Sequence, residues 1–163
     1  MKGQSRLGIS ILEVLIVVAV LGVVFGIGFQ ALPRDRHLVN QAVERFERDL
    51  QRSRFNAISY NTEVTFEVPF TAGIATGYRA VPDPAAVNVQ RAGFAVDLAT
   101  EGMGGVEIAA AGTCDGEAGT GQWTFDARGV GRAGNVTPVT LRHARTGFAV
   151  SLCVNAYGRV ERQ

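Results

Sequence analysis

Across 163 residues, 16 basic side chains oppose 15 acidic ones, and this near balance at net +1 excludes a chain that binds polyanions over its whole surface. Hydrophobic residues at 47% against charged residues at 19% exclude a disordered chain and suit a single domain. Two cysteines are too few for a disulfide scaffold or a four-ligand zinc site.

The first eight residues carry Lys2 and Arg6 and no acid. Residues 9–32 follow as an apolar run in which only Ser10, Glu13 and Gln30 are polar. At 1.5 Å per residue, about 24 positions reach roughly 36 Å, beyond the roughly 30 Å hydrocarbon core of a bilayer. The run therefore reads as a membrane-spanning helix. A cleaved secretory signal would have a shorter apolar core closed by small residues, and no such site follows. The basic flank keeps the N-terminus cytoplasmic by the positive-inside rule, so residues after Leu32 lie on the exported side. Within the run, Gly22 and Gly26 have the spacing of a small-residue packing motif, and Pro33 after it predicts a kink. Gly26, Gly28 and Ala31 match G-x-G-x-x-A, but no strand precedes them, so no dinucleotide is expected. Glu13 is the anomaly. An ionisable group inside an apolar span costs about 2–3 kcal/mol, and marks either an end that snorkels to the interface or a function.

Three features combine here: a basic leader ending in Gly8, an apolar segment starting Ile9-Ser10-Ile11-Leu12, and Glu13 at its fifth place. Together they resemble the class III leader of type IV pilins and pseudopilins. Most members start with Phe; Ile9 departs from that and keeps an apolar first residue. The resemblance implies a cut by a prepilin peptidase between Gly8 and Ile9, and N-methylation of Ile9. It divides the chain into a cleaved leader at 1–8, a transmembrane and filament-core helix at 9–32, and an exported globular domain at 33–163. Once cut, Ile9 would carry a cationic amine. Glu13 of one subunit could then pair with the amine of a neighbour and set axial register, because the low dielectric favours that pair over two bare charges. The partners implied are the peptidase, other pilins or pseudopilins, and the inner membrane. The location implied is single-pass in the bacterial inner membrane with a periplasmic C-terminal domain, then a pilus or pseudopilus.

From residue 34 an amphipathic pattern continues through Leu38, Ala42, Val43, Phe46, Leu50, Ala57 and Ile58. It predicts one helix of about fifty residues with the apolar run, ending near Tyr60-Asn61. About six strands follow, at 64–68, 94–98, 106–110, 122–125, 139–141 and 148–154, with Gly and Pro between them, as at Val81-Pro82-Asp83-Pro84. The fold class is α+β, a long N-terminal helix packed on antiparallel β-sheet, as in type IV pilins. Phe125-Asp126-Ala127-Arg128-Gly129, the strands at 139–141 and 148–154, and Tyr157-Gly158-Arg159-Val160 resemble the GspH/FimT branch of minor pilins.

Cys114 and Cys153 lie on the exported side, where thiols oxidise, so a disulfide is favoured over two free thiols. Charge is segregated: residues 61–127 carry net −7, residues 34–60 net +2, and residues 128–163 net +5. The last set is Arg128, Arg132, Arg142, Arg145, Arg159 and Arg162 against Glu161. It reads either as a phosphate-binding surface or as a face neutralised by the acidic middle segment of the same or a neighbouring subunit. Some FimT-like minor pilins bind DNA through a C-terminal Gly-Arg-x-Arg motif. Gly158 and Arg159 match it, and Arg162 falls one place late behind Glu161. The resemblance thus offers Arg159, Arg162, Arg142 and Arg145 as candidate contacts to double-stranded DNA, directed at phosphate and indifferent to sequence.

No G-x-S-x-G, H-E-x-x-H or C-x-x-C occurs, and His37 and His143 lack ligand spacing. No catalytic residue, cofactor or metal is expected. Asp115 and Glu117 read as a solvated acidic loop rather than a calcium site. The function expected is a structural or priming subunit of a pilus or pseudopilus, not an enzyme. The alternatives are a DNA receptor in natural transformation and a minor pseudopilin of type II secretion.

Overall fold

The computed structural model describes residues 11–30, 34–85, 92–110, 114, 121–131, 137–155 and 157–163. Two units separate, residues 1–34 and residues 35–163. The first holds helix α1, Ile11–Gln30. Its side chains are described to Val23, and every one of them is exposed. Ile11, Leu12, Val14, Leu15, Ile16, Val17, Val18, Val20 and Leu21 leave no polar face, the pattern of a helix suited to an apolar surrounding and not to water. Among the described residues no helix is long and apolar enough to cross a membrane. The apolar run of the sequence extends beyond both ends of α1, into residues outside the described ones.

Helix α2, Arg34–Ser59, lies in the second unit from Asp35 onward. The expected fifty-residue helix is therefore described as two helices. Residues 31–33, with the predicted kink at Pro33, lie outside the described residues. The amphipathic spacing sets the buried face of α2: Val39, Ala42, Val43, Phe46, Leu50 and Ala57 are fully buried. Ile58, which falls in the same pattern, is instead exposed. The helix stops in a left-handed cap at Asn61, φ 48°. The Asn61 amide donates to Ile58 O and the Thr62 amide to Ala57 O, the paired bonds that close a helix over a left-handed residue.

Nine strands follow among the described residues: β1 Val64–Glu67, β2 Ile74–Ala75, β3 Gly77–Pro82, β4 Phe94–Asp97, β5 Val106–Ala109, β6 Gln122–Phe125, β7 Thr137–His143, β8 Ala149–Val154 and β9 Val160–Arg162. They form two antiparallel sheets, ordered β4-β3-β1-β6 and β2-β5-β7-β8-β9. The α+β class and the antiparallel pairing agree with the expectation. Strands β2, β3 and β9 add to the six expected, and β3 runs through Val81-Pro82, where a connection was expected. The reason is geometric: Pro82 pairs with Val64 at the end of β3, where a missing amide interrupts no ladder. Pro138 is tolerated likewise, because β5 covers β7 only from Thr140 to His143.

One core joins the helix to both sheets. Phe46 of α2 meets Phe66, Tyr78 and Trp123 of the first sheet edge-on, with centroids 5.3, 5.3 and 5.9 Å away. Ile108, Leu141 and Leu152 bring the second sheet into the same core. A buried polar group crosses it as well. Asp49 accepts a bond from Tyr78 Oη at 2.7 Å and one from Arg45 Nε at 3.1 Å, and Arg45 reaches Glu101 at 3.1 Å. Burial first, then the bond to Asp49, pushes the Tyr78 phenol well above its ordinary range.

Candidate functional site

Two surfaces hold the residues singled out in the sequence. At the N-terminal end, Gly8 and Ile9 lie outside the described residues. Glu13 stands in the first turn of α1, exposed among apolar neighbours.

The C-terminal surface is built where α2 meets the turn between β8 and β9. Asn155 makes that turn rigid: its Oδ1 accepts from the amides of Tyr157 and Arg159, both at 3.0 Å. Gly158 sits at φ 73°, and a side-chain carbon there would press to 2.9 Å on the Phe125 ring. Its carbonyl accepts from Gln51 Nε2 of α2 at 2.6 Å. The glycine of the tail motif is therefore required by backbone shape and packing.

The arginines that the sequence grouped are separated by their partners. Arg128 pairs with Asp126 at 2.9 Å, Arg142 with Glu107 at 3.3 Å, Arg145 with Asp35 at 3.1 Å and Arg162 with Glu47 at 3.0 Å. The bond to Glu47 raises the Arg162 pKa. The Asp126 carboxyl is held below its ordinary range, first by the Val130 amide and then by Arg128. Arg132 lies outside the described residues. Arg159 is exposed, and among the described residues no acid pairs with its guanidinium. The block charge is thus partly neutralised inside the molecule: Arg128 and Arg142 by acids of the middle segment, as one reading of the sequence had it, and Arg145 and Arg162 by Asp35 and Glu47 of α2, which that reading did not include.

Arg159 does not stand alone. It lines an open cleft of about 510 Å³ with Glu47, Gln51, Arg54, Asn155 and Tyr157. Arg54 also lines the cleft, and its Nε donates to Gly129 O at 2.8 Å. Sequence reasoning missed Arg54, Gln51 and Tyr157. The Asn155-x-Tyr157-Gly158 turn signal was available, but nothing local ties residue 54 to residue 159.

Cys114 and Cys153 are joined by a disulfide, with Cα atoms 5.7 Å apart across 39 residues. Sγ of Cys153 also accepts a bond from Gln163 Nε2 at 3.0 Å. His37 bonds Gln41 at 2.9 Å on the exposed face of α2. His143 is buried 3.6 Å from Asp35. Among the described residues no group of three metal-ligating side chains occurs; Asp115 and Glu117 lie outside them.

Comparison with known proteins agrees with this architecture. A family model described as type II transport protein GspH matches residues 42–158. The pilin-like protein PilA1 of Thermus thermophilus is 36% identical over 75 residues, which is 46% of this chain and 47% of that protein. The alignment thus spans about half the length of that relative. No solved structure matches. The family match begins inside α2 and takes in every strand but β9, so it concerns the globular unit rather than the leader. The chain belongs to the GspH family, as a type IV minor pilin or pseudopilin, a class of structural subunits of pili and pseudopili.

Proposed function

We propose that this chain is made as a precursor, cut by a prepilin peptidase between Gly8 and Ile9, N-methylated at Ile9, and held in the bacterial inner membrane by residues 9–32. Its N-terminus is cytoplasmic and its globular unit, residues 33–163, is periplasmic. From there α1 enters a pilus or pseudopilus, where Glu13 pairs with the amine of a neighbour's Ile9. The observation that carries this reading is α1 itself: apolar on every described side, with one carboxylate in its first turn. Only a non-aqueous surrounding suits such a surface, and the lone charge needs a counter-charge there. The experiment is an intact mass of membrane-extracted protein from cells with active prepilin peptidase. The expected mass is that of a chain starting at methylated Ile9, and Gly8→Val should retain residues 1–8. A wild-type chain still carrying residues 1–8 would overturn the reading.

Two machines fit this subunit, a type IV pilus and a type II secretion pseudopilus. Secretion-channel genes or competence genes beside its gene would separate them. A second role, as a receptor that binds double-stranded DNA during uptake, is favoured by one observation: Arg159 is exposed, without an acid partner among the described residues, and held on a rigid turn. The acid partners of Arg142, Arg145 and Arg162 weigh against a broad patch. DNA titration of wild type and Arg159→Gln at several salt concentrations tests it, with steep salt dependence and loss in the variant expected. Absence of any affinity at low salt would leave the structural role alone.

A further inference from the structure

Strand β9 ends its sheet, and among the described residues no strand pairs with its other side. The bonds to β8 reveal which of its backbone groups are free. The Asn155 amide donates to Arg159 O and the Gln163 amide to Ser151 O, both at 3.0 Å. In antiparallel pairing, bonded positions alternate with unbonded ones. With Cys153 opposite Glu161, the bonded positions are therefore 159, 161 and 163. Val160 and Arg162, opposite Val154 and Leu152, fall between them and turn their amides and carbonyls to the open side. That edge offers two donors and two acceptors, with about 7 Å between the two residues.

The same strand borders the open cleft. Val160 lines it beside Tyr157 and Arg159, together with Arg54 of α2. Among the described lining residues Glu47 is the only acid, and Arg162 holds it at 3.0 Å. Arg54 and Arg159 have no acid partner among the described residues. Short length and charged side chains guard an edge against indiscriminate pairing. In β9 the charge of Arg162 is spent on Glu47, and Glu161 is not among the residues that line the cleft, so neither closes it to an acidic strand. The edge strand β4 borders a cleft as well, but there the one described cation, Arg79, is paired with Glu67. Together the two features of β9 select more narrowly than either does alone. Guanidiniums suit any anion, phosphate included. A row of alternating backbone donors and acceptors is matched by another extended backbone, which a nucleic acid does not have.

We propose that the open edge of β9 takes an extended acidic segment of another protein as an added strand: the backbone of the segment pairs with Val160 and Arg162, and its carboxylates meet Arg54 and Arg159. Tyr157, 61% exposed, supplies contact area beside them. The edge stands ready before the partner arrives, because Asn155 and the Gln51–Gly158 bond hold the turn that leads into it. Little ordering entropy is then lost on this side of the contact. The site needs neither α1 nor a filament, so it goes beyond the subunit role and stands apart from it.

The test uses the full-length chain in detergent micelles and, as probe, a fluorescent end-capped octapeptide in which valine and aspartate alternate. Fluorescence anisotropy should report saturable binding that weakens as salt rises. The same peptide N-methylated throughout keeps its charge and loses its donors, so it should not bind. Val160→Pro removes one outward amide that the ladder to β8 does not use, so the chain should keep its melting temperature and bind the peptide about tenfold more weakly. Arg159→Gln should weaken binding about tenfold as well, through the lost charge. Absence of saturable binding by wild type overturns the proposal. So does an N-methylated peptide that binds as well as the plain one, and this arm decides alone if Val160→Pro does not fold. A folded Val160→Pro, or an Arg159→Gln, that binds the peptide as wild type does overturns it too. Duplex DNA titrated against wild type and Val160→Pro should give equal curves, so the DNA reading stands or falls separately.

Discussion

Helix α1 and the globular unit treat their surfaces in opposite ways. Along α1 apolar side chains are exposed on every described side, and a single carboxylate stands among them. In the globular unit the apolar side chains are gathered under α2, and charges are matched to charges, from Asp35–Arg145 to Glu47–Arg162. The globular unit therefore satisfies itself in water, whereas α1 is complete only when something else surrounds it. On the proposed reading, that division keeps the part that would drive association apart from the part that keeps the molecule folded.

The sharpest way to break the comparison is at Glu13. Glu13→Ala should still be processed but should be absent from sheared filaments, by immunoblot, while the globular unit keeps its fold. Normal incorporation would refute the registry role. Next in size is the disulfide. Closing a loop across 39 residues is worth about 4 kcal/mol in the chain-entropy model, so reduction should lower the melting temperature markedly and slow migration on gels relative to the unreduced chain. Filament entry through α1 should not depend on that bond.

A smaller effect is expected at the Asp49–Tyr78 bond. Tyr78→Phe leaves a buried carboxylate short of one donor, at about 1–3 kcal/mol, read by denaturant titration. The same phenol gives a pH test. Its folded pKa is raised, so its stabilising contribution is complete below the unfolded value near 10 and is lost as pH climbs above that value. Tyr78→Phe should therefore flatten the loss of stability between about pH 10 and 12 that wild type shows. The smallest effect should be Arg159→Gln, within about 0.5 kcal/mol of wild type, since the side chain is exposed and has no acid partner among the described residues. A larger change would mean that Arg159 belongs to the fold and not to a contact.

What could be read from the sequence follows from range. Helix α2 was legible because its apolar spacing and its stop at Asn61 are local signals. The leader and Glu13 stood out because spacing alone defines their pattern. Strand β3 was hidden because Gly77-Tyr78-Arg79-Ala80-Val81-Pro82 buries Tyr78, Ala80 and Pro82 and turns Val81 outward, so proline and valine exchange their usual places. Strand β9 was hidden because Glu161 and Arg162 look like a solvated tail, while its ladder to β8 supplies the order. The block of C-terminal arginines was legible as a composition and misleading as a patch, because the acids that neutralise Arg145 and Arg162 lie 110 and 115 positions away. The cleft around Arg159 needs Gln51 and Arg54 from α2, and no local pattern announces that meeting.

Those long spans also dictate an order of events. Helix α2 can coil early, but Gln51 waits for Gly158 and Glu47 for Arg162, more than a hundred residues later in synthesis. Until β8 and β9 have left the ribosome, α2 lacks the pairings that hold its outer side, and loop closure over such distances is slow. The inner face of α2 can be covered sooner, because Phe46 meets Phe66, Tyr78 and Trp123 of the first sheet, so it is the outer side of the helix that closes last. A polypeptide whose far end closes last keeps one side of an early helix without its final partners until synthesis is nearly complete, the interval in which wrong contacts are easiest to make.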